Sequence, residues 1–195
     1  MARVFVITGP SGVGKGTLIR SLIARVPELE LSVSATTRRP RPGERDGVHY
    51  HFLSDAAFDA KVREGAFVEH AAYSGRRYGT LRSELERRTA NGIPVVLEIE
   101  VQGARQIRRA LPDAVQVFIV PPSTAALQER LVGRGTDAPE EVARRLRVAE
   151  QELTARDEFQ YQVVNDRLED AVDALEAIVR RELGRCASGA EGAGS

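Results

Sequence analysis

The chain has 195 residues, enough for one sizeable core carrying small inserts and too few for a large multidomain assembly. Apolar residues make up 42% and charged residues 29%, and the formal net charge is zero, so the chain as a whole lacks the basic field that attracts nucleic acid. No apolar run approaches the roughly 18 residues of a membrane span, and Met1-Ala2-Arg3 leads into a strand without space for a signal peptide. The single cysteine, Cys186, cannot close an internal disulfide, so a reducing, cytoplasmic setting is expected.

Val4 to Ile7 is an apolar, β-branched run that reads as a buried strand, closed by Thr8 and Gly9. Gly9-Pro10-Ser11-Gly12-Val13-Gly14-Lys15 then satisfies G-x-x-x-x-G-K, and Leu18, Ile19, Leu22 and Ile23 share one face of the helix that follows. A motif placed after a strand and opening a helix is placed for phosphate. Its glycines let successive N–H groups turn inward, and the helix N-terminus adds partial positive charge. Lys15 can reach the outer phosphates as a point charge. The competing reading is a plain glycine-rich turn. Position 16 is Gly, so the usual metal-binding hydroxyl is missing there, and Thr17 stands one residue later. Only Lys15 and Lys61 of the 28 basic residues are lysines, and one of them fills the phosphate-binding position.

Pro27 stops the first helix near Val26, and Leu29 to Ser34 alternates as a second strand. Residues 35–47 form a polar, turn-rich loop with four arginines between Arg38 and Arg45. One reading is a solvated charged loop. The other is an anion grip, because guanidinium forks pair bidentately with phosphate. A P-loop and an arginine loop in one chain make two phosphate sites, which is what transfer between two nucleotides needs. Val48 to Phe52 alternates as a strand, and Ser54 can cap a helix over 55–64. Phe67 to Tyr73 is a strand turning at Ser74-Gly75, and a helix is expected over 81–91, closed by Gly92.

Pro94 to Glu100 reads as a buried central strand with Glu98 and Glu100 at its carboxyl end. Carboxylates there could orient magnesium or its waters, or cap the helix over 102–110. Ala114 to Val120 is another strand, and Ser123 can cap a helix over 124–132. Gly133-Arg134-Gly135 breaks that helix, and a long charged helix is expected over 140–157. A helical pair with arginines near its tip suits a lid that closes over phosphates and excludes water. Tyr161 to Val164 is the last strand, Asn165-Asp166 its turn, and 168–183 the closing helix. The small, polar stretch 185–195 is expected to be a disordered tail.

Strands alternating with helices predict an α/β fold, a doubly wound P-loop core with a mostly parallel sheet. The expected organisation is a core from 1–34, 81–133 and 157–184, an insert over 35–80 bearing the arginines, and a small helical lid over 134–156.

The chain resembles the bacterial guanylate kinases among the P-loop nucleoside-monophosphate kinases. The resemblance spans residues 3 to about 183 and rests on GPSGVGKGTL, SVSATTRRPRPGERDGVHYHF, FVEHAAYSGRRYGT, LEIEVQGARQIR, RLVGRGTD and VVND. It implies transfer of phosphate from ATP to GMP or dGMP with magnesium, giving ADP and GDP. It also implies that 35–80 is a GMP-binding insert. Ser34, Arg38, Arg41, Tyr50 and Tyr78 would surround the GMP phosphate, with Glu44 orienting the arginines. Glu69 and Thr80 would read guanine, Glu69 accepting from N1–H and the 2-amino group while Thr80 donates to O6. ATP contacts are expected from Gly9 through Thr17 and from Arg130, Arg134 and Asn165. Thr17, Glu98 and Glu100 are the candidates for the magnesium shell, through water. Glutamate at 98 and 100, where other members often have aspartate, leaves open which of the two touches that shell and which the guanine edge.

Catalysis is assigned to Lys15, Arg38, Arg41, Arg134 and Arg145, which would align and neutralise the phosphates. No general base is needed, because the attacking phosphate oxygen is already an anion. Two rival readings stand beside this one. A kinase for another nucleoside monophosphate is disfavoured by Glu69 with Thr80. A catalytically silent, guanylate-kinase-like protein-binding module is disfavoured by the complete motif through Lys15. The expected partners are small nucleotides, with neither nucleic acid nor membrane, and the state is a monomer or homodimer.

Overall fold

The computed structural model of the chain describes residues 2–73, 75–132 and 139–191. Its elements are β1 (Val4–Thr8), α1 (Lys15–Arg25), β2 (Glu30–Leu31), β3 (Ala35–Thr36), β4 (His51–Phe52), α2 (Asp55–Arg63), β5 (Phe67–Tyr73), β6 (Arg76–Leu81), α3 (Arg82–Ala90), β7 (Val95–Glu98), α4 (Val101–Ala110), β8 (Val115–Val120), α5 (Thr124–Val132), α6 (Pro139–Leu153), β9 (Tyr161–Val164) and α7 (Leu168–Glu191).

The core sheet runs β2-β7-β1-β8-β9, and every pairing in it is parallel. Its strands are apolar on both faces because helices cover both. Phe5, Ile7, Val96, Val117 and Ile119 point to one side, where they pack with Leu18, Ile19 and Leu22 of α1, Leu127 of α5 and Leu175 of α7. Val4, Val6, Val95, Leu97 and Phe118 point to the other, against Leu85 of α3 and Ala104 and Ile107 of α4. The chain leaves β1 toward β7 and later returns to β8 on β1's other side. A crevice therefore opens at the carboxyl ends of β1 and β8, the topological switch point where α/β sheets bind ligands. The P-loop emerges there.

A second, four-stranded sheet has the order β4-β3-β6-β5, with β3 and β4 parallel and the other pairs antiparallel. It is built from the insert. Its own core is small: Ala35, Phe58, Phe67 and Leu81, with the Phe58 and Phe67 rings stacked at 4.5 Å. Fully burying a large apolar side chain contributes about 1.5–3 kcal/mol. Ordering a backbone residue costs about 1–2 kcal/mol. So small a cluster does not hold the insert's sheet by itself, and the insert leans on the core. Val68 of β5 packs into the α4-side cluster, and β5 lies along α4.

Several boundaries differ from the sequence expectation. The strand read over 29–34 shortens to β2, because its hydrogen bonds to β7 end where the chain turns out toward the insert. The strand read over 48–52 contracts to β4, since residues 45–49 form a turn held by His49 and Arg45 backbone contacts. The charged helix α6 stops at Leu153, and a short 3₁₀ turn over Arg156–Glu158 leads into β9. The closing helix α7 runs to Glu191, well into the stretch expected to be a tail. Gly184 sits within it, with nothing inside 4 Å of a Cβ at that position to disturb it.

Candidate active site

The phosphate end of the site begins where β1 stops. Gly14 is the N-cap of α1, at φ 96°, a left-handed conformation that favours glycine. α1 has neither a side-chain cap bond nor an acidic residue in its first turn, so its positive end is left to the crevice. Gly9 is required for closeness: a Cβ there would stand 2.5 Å from the Ile119 carbonyl of β8. Lys15 is buried, and its ammonium donates to the carbonyls of Gly9 at 2.5 Å and Pro10 at 3.4 Å.

Residues far along the chain close on this loop. The buried Asn165 side chain, at the end of β9, donates to the Val13 carbonyl at 2.7 Å and so braces the loop from beneath. Arg130 donates to the Asp166 carbonyl at 3.4 Å, and its other terminal nitrogen is buried without a hydrogen-bond partner. From α6, Arg145 donates to the Ser11 hydroxyl at 3.1 Å, and the Ser11 N–H donates to Glu152 at 3.3 Å. Burial and the neighbouring Glu100 charge push Glu152 well above the usual carboxylate range. Arg134 lies outside the described residues.

Glu98 and Glu100 connect this end to a cleft under the insert. Glu98 closes β7, and a Cβ at Gly16 would lie 3.5 Å from its carboxylate. Desolvation in the cleft raises Glu98, although its side chain still reaches solvent, with Lys15 acting against that rise. Glu100 is the N-cap residue of α4 and pairs with Lys15 at 3.8 Å, and its Oε2 is buried without a hydrogen-bond partner. The Thr17 hydroxyl accepts from Arg20 at 3.2 Å on the exposed side of α1.

The cleft is lined by Ser34, Tyr50, Glu69, Tyr78, Glu98 and Glu100, together with the Tyr73 ring. Six of the residues expected at the acceptor nucleotide thus meet around one space, although the first and last, Ser34 and Glu100, are 66 residues apart. At its mouth Arg38 forms a two-pronged pair with Glu44, at 2.9 and 2.8 Å, and lies over the Tyr50 ring at 5.2 Å. Glu44 also accepts from the Arg41 N–H at 2.7 Å, and these contacts, Arg38 first, hold its carboxyl down at about 2. Arg41 itself is exposed beside that pair.

Deep in the cleft, Glu69 is buried and accepts from the Thr80 hydroxyl at 2.8 Å. A bulge produces this meeting. Phe67 pairs with Leu81, but Glu69 pairs with Thr80, so Val68 is an extra residue. A bulge re-aims the side chains beside it. Without it Glu69 would pair with Gly79 and point the other way. Burial raises the Glu69 carboxyl to about 7, against the Thr80 bonds that lower it.

Sequence reasoning passed over Glu152, Tyr73, Gly103 and Gln106. Glu152 could have been found, because the i, i+7 spacing from Arg145 puts both on one face of a helix. Tyr73 ends β5 facing the Ser11 side chain, and burial pushes its hydroxyl up to about 12. No local pattern singles out the other two.

The guanylate kinase family model matches residues 1–182. A guanylate kinase of Synechococcus sp. (strain CC9311) is 54% identical over 176 residues, covering 90% of this chain and 93% of that one. A guanylate kinase of Thermobifida fusca is 50% identical over 177 residues, 91% and 90% of the two chains. The crystal structure of guanylate kinase from Anaplasma phagocytophilum superposes with a TM-score of 0.74 at 30% identity, covering 93% of this chain and 86% of that one.

Proposed function

Because this chain belongs to the guanylate kinase family, and is a phosphotransferase on that ground, we propose that it moves the terminal phosphate of ATP onto GMP, and also dGMP, giving ADP and GDP. The observation that carries the acceptor is the buried Glu69–Thr80 pair at the floor of the cleft. An ionised carboxylate accepts and does not donate. Guanine offers it N1–H and the 2-amino group side by side. Adenine offers an unprotonated N1, which would leave an anion facing a lone pair in a closed site, a loss of on the order of 1–3 kcal/mol or more.

In this reading the P-loop N–H groups and Lys15 hold the outer phosphates of ATP. Arg38, kept extended by Glu44 and by the Tyr50 ring, takes the GMP phosphate with Arg41, Ser34 and Tyr78. An oxygen of that phosphate attacks in line and needs no base. Arg145, with Arg134 further up the sequence, would neutralise the charge carried by the transferring group. Asn165 stiffens the loop through one amide N–H, given to the Val13 carbonyl, and keeps its place among the expected ATP contacts through the rest of the amide.

Magnesium fits the residues present. The Glu98 carboxylate lies 3.5 Å from where a Cβ at position 16 would stand, and Glu100 brings a second carboxylate beside Lys15 at 3.8 Å. One or two carboxylates plus substrate phosphates and waters are a usual set for this ion. Among the described residues no group of three or more His, Cys, Asp or Glu side chains gathers. Glu98 and Glu100 would hold it, and bound there it would offset charge on the phosphate oxygens. No helix among the described residues is long and apolar enough to cross a membrane.

The test is a panel of GMP, dGMP, IMP, AMP, CMP, UMP and dTMP with magnesium and ATP, following ADP formation. GMP is expected to give the highest kcat/KM, IMP less for want of the 2-amino donor, and AMP least, by at least about 10²-fold. Preference for AMP or a pyrimidine, or no turnover with any of them, would overturn the reading.

A further inference from the structure

We infer that Gly103 and Gln106, both on helix α4 of the core, are positioning residues that aim the Glu69 carboxylate and so set base selectivity; this rests on the reading of Glu69 given above. Gly103 is buried in the first turns of α4, in ordinary helical backbone. Glycine weakens a helix interior, and no positive φ asks for it at this position. What asks for it is space. A Cβ on residue 103 would stand 2.4 Å from Glu69 Oε2, 3.1 Å from its carboxyl carbon and 3.5 Å from Ile99 Cδ1. The Glu69 carboxylate occupies the volume that any other side chain would fill.

Gln106 lies one turn further on the same face. Its Oε1 accepts from the His70 N–H at 3.2 Å, and its Nε2 donates to the His70 carbonyl at 2.8 Å. These are the two bonds a neighbouring strand would make. β5 is the free edge of the insert's sheet, so α4 supplies in one side chain the strand that is missing. The residue pinned is the one directly after Glu69. On its other side Val68, the extra residue of the bulge, packs into the α4-side core.

Glu69 is therefore fixed from three directions. Thr80 holds one oxygen from β6, the bare backbone of Gly103 receives the other, and Gln106 with Val68 locks the strand on either side. The base reader belongs to the insert by sequence, but its aim is set by the core. Because the atom in the way at residue 103 is the end of a side chain, Gly103→Ala displaces the carboxylate before it disturbs the helix, and alanine is the better helix former.

The experiment measures Gly103→Ala and Gln106→Met in the full chain. Gln106→Met keeps side-chain length and loses both bonds to His70. Readouts are kcat/KM for GMP and IMP, kcat at saturating GMP, KM for ATP, the thermal midpoint, and the pH midpoint of GMP binding by equilibrium titration. A misplacement of about 1 Å costs on the order of 10²-fold. Gly103→Ala is expected to lose GMP kcat/KM on that scale, to narrow the GMP-to-IMP ratio several-fold and to move the pH midpoint. Its kcat, KM for ATP and thermal midpoint should stay near those of the unaltered chain. Gln106→Met is expected to show the same pattern more weakly, and it carries the test if Gly103→Ala does not fold. A GMP-to-IMP ratio and pH midpoint unchanged in a folded variant would strike that residue from the assignment. A parallel loss for both nucleotides with no change of ratio would reduce it to a structural role. If the unaltered chain did not prefer GMP to IMP, the reading of Glu69 itself would fail instead.

Discussion

The Thr80 hydroxyl and the Glu69 carboxylate face each other across β5 and β6 at 2.8 Å, in a register that exists only because Val68 is looped out of the ladder. The hydroxyl carries one proton, and it is directed to Glu69. Thr80 can serve guanine O6 only by turning that proton away from the carboxylate. The pair is a unit in which each partner's state sets the other's.

Glu69 should make GMP binding pH-dependent. Its carboxyl is raised to about 7 by burial, so below that value the free protein holds it protonated, with only one oxygen left to accept. GMP affinity is expected to rise with pH through about 7, by up to roughly tenfold per unit on the acid side. Folding carries the opposite sign. A value raised above the ordinary one makes stability fall as pH climbs from the ordinary carboxylate range through about 7. Glu69→Gln should weaken GMP, flatten the protein's share of the pH profile and leave only the nucleotide's own titration. Isothermal titration with GMP between pH 5.5 and 8.5 (about that range) checks this, and an unchanged slope in Glu69→Gln would rule Glu69 out as the group responsible.

Thr80→Ala should do less harm than Glu69→Gln. It removes a bond that lowers the Glu69 carboxyl, so the midpoint of GMP binding is expected to move to higher pH. On the proposed reading it also removes the hydroxyl assigned to O6 of the base, so the GMP-to-AMP ratio of kcat/KM should shrink. Steady-state kinetics with both nucleotides decide it: a ratio equal to that of the unaltered chain would separate Thr80 from base reading.

Lys15→Ala is expected to lower kcat by about 10²-fold or more, the scale of removing one preorganised donor at a transferring group. The buried lysine also balances Glu98 and Glu100, with Glu100 paired to it at 3.8 Å. Its loss should therefore raise the Glu98 carboxyl further and shift the magnesium requirement to higher concentration at neutral pH. Turnover measured at saturating ATP and GMP across a magnesium titration would expose a full retention of kcat, which would refute the assignment.

Glu44→Ala should raise KM for GMP by roughly tenfold, the scale of a lost charge-assisted bond, while kcat changes less. Glu44 touches Arg38 through two bonds and the Arg41 backbone through a third, so its removal frees the grip without deleting it. Its carboxyl is held down at about 2, so the contact is complete above the ordinary carboxylate range and is lost only as pH falls through about 2. Activity at pH 5 and above should not report its titration. A lowered kcat with an unchanged KM would move Glu44 from orienting the arginines to the chemistry itself.

Arg145→Ala should lower kcat far more than GMP affinity if the lid acts on the transferring phosphate. Arg145 already touches the P-loop through Ser11, so its path to the phosphates is short. Kinetics beside equilibrium titration separate the two effects, and a pure affinity loss would remove it from the catalytic set.

The P-loop, its flanking strand and helix, the arginine-bearing insert and the buried strands of the sheet were legible from residues alone, because each depends on neighbours a few positions away. Glycines at fixed offsets specify a backbone curve, and apolar runs specify burial. Resemblance placed Ser34, Tyr50, Glu69, Tyr78, Glu98 and Glu100 at one nucleotide, and the fold gathers those side chains around one cleft. What no local pattern contained is how they are aimed. The bulge at Val68 is a choice of register between two strands, decided by packing Val68 into the core and by closing the edge of β5 with Gln106. The bare surface of Gly103 acquires meaning only when a carboxylate from another sheet arrives against it. Glu152 joins the loop at Ser11 from 141 residues away. These contacts are made by tertiary structure because backbone propensity acts over a turn or a strand, whereas the aim of a buried charge is settled by whatever the fold leaves next to it.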